Sequence, residues 1–169
     1  AFEFVTAVDL DTIEDGAIEM IGPDADEVEE GDALPLCIWV EVAGRKMQSE
    51  FEPILERRLH YLLNGAEGLW HMGQRDIVWT RISKAGFAKG LRLEHYGKII
   101  HAKFLNDYPS LVDKVSVTLI TDLEEVERRM GHARQVYNER DKRLATMTDE
   151  SVDTFYSCLL CQSFAPDHV

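Results

Sequence analysis

Val115-Ser116-Val117-Thr118-Leu119-Ile120-Thr121-Asp122-Leu123-Glu124 is the stretch on which the fold turns. Its first six residues alternate and are rich in β-branched side chains, which predicts a strand. Thr121-x-x-Glu124 follows at once as a capping-box pattern, in which a hydroxyl and a carboxylate satisfy the first free amides of a helix. A long helix over residues 122–144 is therefore expected. A strand that feeds directly into a helix is the repeating unit of α/β architecture.

Working outward, Leu34-Pro35-Leu36-Cys37-Ile38-Trp39-Val40-Glu41-Val42 reads as a buried strand stopped by Gly44, with Cys37 as a packed thiol. Phe2, Phe4 and Thr6 alternate with Glu3 and Val5 as a first strand. Residues 9–32 are carboxylate-rich and broken by Gly16, Gly22-Pro23 and Gly31, which suggests turns around a short strand at 17–21 and a solvated acidic edge. Phe51, Ile54, Leu55, Leu59, Leu62 and Leu63 repeat at helical spacing over residues 50–64, with Pro53 in the first turn and Gly65 as the stop. A strand at 76–82, a short helix capped by Ser83, and a longer helix over 91–108 before Pro109 complete the series. The expected fold is α/β, with α+β as the alternative: a mixed sheet with flanking helices in one domain, residues 1–146. Residues 147–169 read as a C-terminal linker segment with too little apolar surface to fold alone.

The formal charge of −13 is unevenly placed. Residues 1–44 hold 13 acidic and no basic side chains, so the other 125 residues, with 18 of each, are neutral. Such an acidic quarter repels nucleic acid and anionic membranes. No apolar run long enough to span a membrane occurs, and no signal-peptide pattern is present. Three cysteines argue against a disulfide framework and for a reducing cytoplasm.

Two constellations carry chemistry. Between Trp70 and Lys103 lie Arg75, Trp79, Arg81, Lys84, Lys89, Arg92 and Lys98, with only Asp76 and Glu94 as acids. Guanidinium forks bind phosphate oxygens and an exposed indole stacks on a base, so a nucleotide or coenzyme A would suit this patch. The plainer reading, which composition favours, puts Trp70 and Trp79 in the core and the cations on solvated faces. The second constellation is Cys158-Leu159-Leu160-Cys161, whose spacing brings two thiolates to one metal or cluster but does not complete a site. Inert buried thiols are the alternative. No phosphate loop, nucleophile elbow or His-Glu-x-x-His is present.

The terminal run Phe155-Tyr156-Ser157-Cys158-Leu159-Leu160-Cys161-Gln162-Ser163-Phe164-Ala165-Pro166-Asp167-His168-Val169 resembles the nickel-site segment of the acetyl-CoA synthase family. The stretches Glu50 to Arg58 and Asn64 to Arg75 are similar to that family's central domain. The resemblance implies an anaerobic, CO-methylating acyltransferase that joins CO, a methyl group from a corrinoid iron–sulfur protein and coenzyme A, in partnership with carbon monoxide dehydrogenase. It implies Cys158 and Cys161 as the first two ligands of a 4Fe–4S cubane, with Cys161 also bridging to one of two nickel ions. Phe164 would lie over that nickel and shape access of CO. Further ligands are expected beyond Val169, so residues 147–169 would open the metal-cluster domain and the chain alone would assemble no cluster. Trp70 and several arginines are implied as the coenzyme A contacts; among the arginines, Arg75, Arg81 and Arg92 are our own choice for the phosphate partners. Two other readings stand beside this one: a zinc or redox module built on the cysteines, and a domain that docks neighbours or carbon monoxide dehydrogenase through Asp24, Asp26, Glu27 and Glu29.

Overall fold

The structure, a computed structural model, describes residues 2–29, 31–75, 77–148 and 150. In chain order these form β1 (Phe2–Ala7), β2 (Ile18–Ile21), β3 (Cys37–Ala43), α1 (Glu52–Asn64), β4 (Leu69–Gln74), β5 (Ile77–Ile82), α2 (Lys84–Ala88), α3 (Glu94–Asp107), β6 (Lys114–Ile120) and α4 (Leu123–Ala145). Four strands make a mixed sheet in the order β1-β3-β6-β2. β3 and β6 pair antiparallel at its centre, and β1 and β2 add parallel on either side. β4 and β5 form a separate antiparallel hairpin. The mixed sheet with flanking helices expected from the sequence is what the chain adopts.

Strict alternation sorts the sheet's side chains between two cores. Val5, Ile38, Val40, Val42, Val117 and Leu119 face α1 and α3, where Leu55, Leu59, Tyr96 and Phe104 complete the packing. Phe2, Phe4, Cys37, Trp39 and Ile120 face the other way, against Val126, Ala133 and Tyr137 of α4. The thiol of Cys37 is fully buried, which pushes its pKa up.

β1 is an edge strand, and an open edge invites pairing with other chains. Here side chains close it. Glu56 accepts from the Val5 amide at 3.2 Å and Glu52 from the Ala7 amide at 2.8 Å. Arg140 of α4 donates to the Val5 carbonyl, and Tyr137 donates to the Glu3 carbonyl. Arg140 also bonds both carboxylates, Glu52 at 2.8 Å and Glu56 at 2.9 Å. Burial outweighs that pairing at Glu56 and raises its pKa to about 7.

Three expectations need correction. The first concerns the α4 cap. Asp122 is the N-cap, accepting from the Glu125 amide at 2.9 Å, while the Thr121 hydroxyl donates to the Pro23 carbonyl at 2.6 Å. The capping pattern is thus shifted by one residue, because a tertiary partner claims the threonine. Second, β3 begins at Cys37 rather than at 34. Third, the helix expected over 91–108 begins at Glu94, where Asp24 accepts from the amides of Leu93 and Glu94 at 2.9 and 3.2 Å. Finally, the acidic edge is solvated but not idle: Asp15, Asp26 and Glu27 stay exposed, yet they and Asp24 are engaged within the fold. Asp15 holds the Val115 amide and His101, each at 3.0 Å, and Asp26 pairs with Arg92 at 3.1 Å. Glu27 in turn accepts from the Asp24 amide at 3.1 Å.

Candidate functional site: an exposed aromatic and cationic hairpin face

β4 has no clear signature in the sequence, yet it places the aromatic residues. Leu69, His71 and Val78 point inward and are buried. Trp70, Met72, Ile77, Trp79 and Arg81 take the alternate positions and point out. Trp70 is 43% exposed and Trp79 66%, so the reading that put both in the core is overturned, and of the three tryptophans only Trp39 is buried.

The hairpin is fixed to the domain from its inner face. Asn64, at the end of α1, bonds the backbone of His71 twice, at 2.7 and 2.6 Å. His71 Nε2 lies 2.7 Å from Glu3 Oε2, and neither side chain is exposed. Burial raises the Glu3 pKa well above the carboxylate range and lowers His71 to about 4. Burial thus favours the uncharged form of each group. The Tyr96 hydroxyl adds a 3.4 Å bond to the Arg81 carbonyl.

At the other end of the hairpin, Arg75 forms the turn with φ +59°, in the left-handed region. Its guanidinium makes a two-point bond to Asp141 of α4 at 2.8 and 3.0 Å and lies 4.9 Å from the Tyr137 ring centroid. The hydrogen bond from Arg75 holds the Asp141 carboxyl below its usual range. Gly73 permits the close strand approach: a Cβ there would sit 2.1 Å from the Ile77 carbonyl oxygen.

The three arginines singled out in the sequence do not converge. Arg75 is committed to Asp141. Arg92 bonds Asp26 and the carbonyls of Phe87 and Leu91, and lies 4.1 Å from the Phe87 ring centroid. Only Arg81 joins Trp70: the two are cross-strand partners, with the guanidinium carbon 5.9 Å from the indole centroid. Arg81 has no carboxylate partner among the described residues. A cleft of about 310 Å³ opens at the same end of the hairpin, lined by Gly68, Ser83, Gly86, Lys89, Leu91 and His95. Ligand-sized clefts of this kind combine a few polar groups with apolar walls.

Cys158, Cys161 and Phe164 lie outside the described residues, as do residues 151–169 generally. Among the described residues no group of three histidine, cysteine or acidic side chains could hold a metal ion. None of their helices is long and apolar enough to cross a membrane.

An α/β domain that exposes a tryptophan beside an arginine with no carboxylate among the described residues, near a cleft, has the makings of a ligand-binding surface. The chain belongs to the CO dehydrogenase/acetyl-CoA synthase complex beta subunit family, whose model matches residues 1–126. A second model, for the C-terminal part of the ACS/CODH beta subunit, matches residues 137–169. The carbon monoxide dehydrogenase/acetyl-CoA synthase subunit alpha of Moorella thermoacetica is 55% identical over 169 residues, covering 100% of this chain and 23% of that protein. The acetyl-CoA decarbonylase/synthase complex subunit beta of Methanopyrus kandleri is 45% identical over 167 residues, which are 99% of this chain and 36% of that protein. The subunit beta 2 of Methanocaldococcus jannaschii is 48% identical over 152 residues, 90% of this chain and 32% of that protein. The chain thus spans between 23% and 36% of the length of these relatives.

Proposed function

We propose that this chain is the coenzyme A-receiving part of a CO-methylating acetyl-CoA synthase. Trp70 and Arg81 would make the first contact with the ligand. The observation that carries the reading is the Trp70–Arg81 pair, an exposed indole beside a guanidinium that no carboxylate among the described residues neutralises. An indole can stack on adenine and a guanidinium can bind phosphate in a fork. Lys89 and His95 along the adjoining cleft extend the polar surface for the rest of the ligand. Arg92 could join only by releasing Asp26, and Arg75 is held by Asp141.

We assign residues 1–146 to the coenzyme A domain and 147–169 to the opening of a metal-cluster domain. Cys158 and Cys161 supply two thiolates three positions apart, a donor set that suits one 4Fe–4S cubane. In the whole protein that cluster, with two nickel ions, would supply the carbon–carbon bond-forming chemistry, and Phe164 would limit access to it. A methylated corrinoid protein and carbon monoxide dehydrogenase would deliver the other two reactants. The composition suits a cytoplasmic protein. The acidic docking reading gains no specific support, since Asp24, Asp26 and Glu27 are engaged within the fold, and the zinc-or-redox reading rests on Cys158 and Cys161, outside the described residues.

Calorimetric titration of coenzyme A, paired with tryptophan emission, tests the binding. Saturable heat with quenching of emission is expected, and both should vanish in Trp70→Ala. A silent titration of the unaltered chain would remove the reading.

A further inference from the structure

The cleft beside the Trp70–Arg81 pair has a chemistry of its own. Trp70 pairs with Arg81 and Leu69 with Ile82 across the hairpin, and the Ser83 amide donates to the Gly68 carbonyl at 2.8 Å as the next rung. Ser83 keeps an extended backbone, with φ −67° and ψ 151°, so it falls on the same side as Arg81, two residues earlier. The cleft therefore begins roughly 7 Å along the strand from the exposed pair.

Three of the lining groups are donors. The Ser83 oxygen accepts from the Gly86 amide at 2.9 Å, which leaves the hydroxyl hydrogen to give. His95 Nδ1 accepts from the Arg92 amide at 2.9 Å, a closer approach than its 3.3 Å to the Arg92 carbonyl. The imidazole proton is accordingly assigned to Nε2, and Glu94, 3.8 Å from that nitrogen, is beyond hydrogen-bond length. Lys89 adds an ammonium that Glu67 holds loosely at 3.5 Å. Lys89 and Glu67 balance each other, so the cleft offers donors without a net charge.

The walls are apolar or bare. Ala85 and Leu91 supply carbon, and Gly68, Gly86 and Gly90 present backbone. A Cβ on Gly86 would come within 3.1 Å of Ser83 Oγ and 3.2 Å of Leu91 Cδ2, so a side chain there would crowd both walls. Uncharged donors between apolar walls fit neutral carbonyls on a carbon chain, whereas phosphates call for cations. At about 310 Å³ the cleft lies at the small end of ligand pockets, which suits a slender arm rather than a whole cofactor.

We infer that the cleft takes the pantetheine arm of coenzyme A. Its amide carbonyls accept from Ser83, His95 and Lys89, and its methyl and methylene groups meet Ala85 and Leu91. The nucleotide half stays on Trp70 and Arg81, so the arm runs from the hairpin toward α3 with its thiol end beside His95. This division of the ligand rests on the coenzyme A reading and adds a second contact surface to it.

Calorimetric titration of the 169-residue chain with coenzyme A, and separately with its nucleotide half, phosphoadenosine diphosphate, tests the division. Coenzyme A should bind about tenfold more tightly than the nucleotide half, the advantage being the buried arm. Ala85→Phe, at an exposed position, should fill the cleft and remove that advantage while leaving the affinity for the nucleotide half unchanged. If that variant does not fold, His95→Leu serves instead and should shrink the advantage. Trp70→Ala should weaken both ligands. Equal affinity for the two ligands in the unaltered chain, or an advantage that survives intact in the folded cleft variant, would overturn the cleft and leave Trp70 and Arg81 in place. A chain that binds neither ligand overturns both readings.

Discussion

The molecule contains two arginine–tryptophan pairs with opposite roles. Arg129 lies 4.6 Å from the Trp39 ring centroid, Trp39 is only 6% exposed, and Glu125 bonds Arg129 at 2.8 Å. Arg81 lies 5.9 Å from the Trp70 ring centroid, Trp70 is 43% exposed, and no carboxylate meets Arg81 among the described residues. The residue types are the same. What separates structure from site is unmet capacity: the first pair has spent its charge and its ring face inside the fold, and the second has not. Arg140 shows the limit of the first kind, with two carboxylates and a carbonyl around one buried guanidinium.

The largest effect should separate these kinds of arginine. Arg140→Ala leaves Glu52 and Glu56 buried with no cation and the Val5 carbonyl without its donor, and should cost about 3–5 kcal/mol. Arg81→Ala should stay within about 0.5 kcal/mol of the unaltered chain, as surface changes do. Urea unfolding measures both. Comparable losses would erase the distinction.

The next test uses pH, because the inner side of the hairpin and the β1 edge hold shifted groups. Glu56 rises from 4.5 to about 7 in the fold, so the folded state binds the extra proton and its contribution falls as pH climbs through that window. His71 drops from 6.5 to about 4, so the unfolded state binds more protons and its contribution grows over that range. The two trends oppose each other in the native chain. Glu56→Gln should therefore gain stability relative to the native chain between these limits as pH rises, and His71→Asn should lose it. Each slope reaches at most about 1.4 kcal/mol per pH unit. Trp70→Ala, on the outer face, should show no such relative slope. Urea midpoints at a series of pH values check all three.

Much of this layout was legible because side-chain period reports burial. The alternation at 115–120 and the helical spacing of Leu55, Leu59 and Leu62 located a strand and a helix and sorted their inward faces. β4 was not legible, since Leu-Trp-His-Met-Gly-Gln mixes apolar and polar residues and its inward position is held by His71. A histidine that is fully buried and matched to Glu3, 68 residues away, leaves no local signal. The same is true of Asp24, which looks solvated in sequence and caps α3 from 69 residues away. For the proposed site, the basic run and Trp70 pointed to the hairpin, where the structure leaves Trp70 exposed. Which arginine lacks a carboxylate among the described residues depended on Asp26 and Asp141, partners that only the fold supplies.

Ligand affinity should sharpen the contrast between the two pairs. Arg81→Ala should weaken coenzyme A binding by about tenfold, the loss of roughly 1.4 kcal/mol from one charged contact. Arg129→Ala should leave that affinity unchanged and instead lower stability by about 1 kcal/mol, from the lost contact over Trp39. Calorimetry on both variants reads affinity, and urea unfolding reads stability. If Arg129→Ala weakened the ligand as much as Arg81→Ala, burial would not be the property that divides the pairs.

The smallest effects are expected at Arg75, whose position in the sequence suggested a phosphate contact and whose geometry assigns it to the turn. Its partner is half exposed, so Asp141→Asn should cost only about 0.2–1 kcal/mol. Arg75 also holds φ +59°, which costs an L-residue roughly 1 kcal/mol and glycine almost nothing. Arg75→Gly therefore loses the ion pair but sheds the backbone strain, and should be nearly neutral. Arg75→Ala loses the pair and keeps the strain, so it should be the less stable of the two. Coenzyme A affinity should be the same in all three variants, because a guanidinium already held at two points by a carboxylate has little left to offer a phosphate. A drop in affinity for Arg75→Gly, with Asp141→Asn unchanged, would move Arg75 from the closed kind of arginine to the open one. That would require the Asp141 pair to break when ligand arrives.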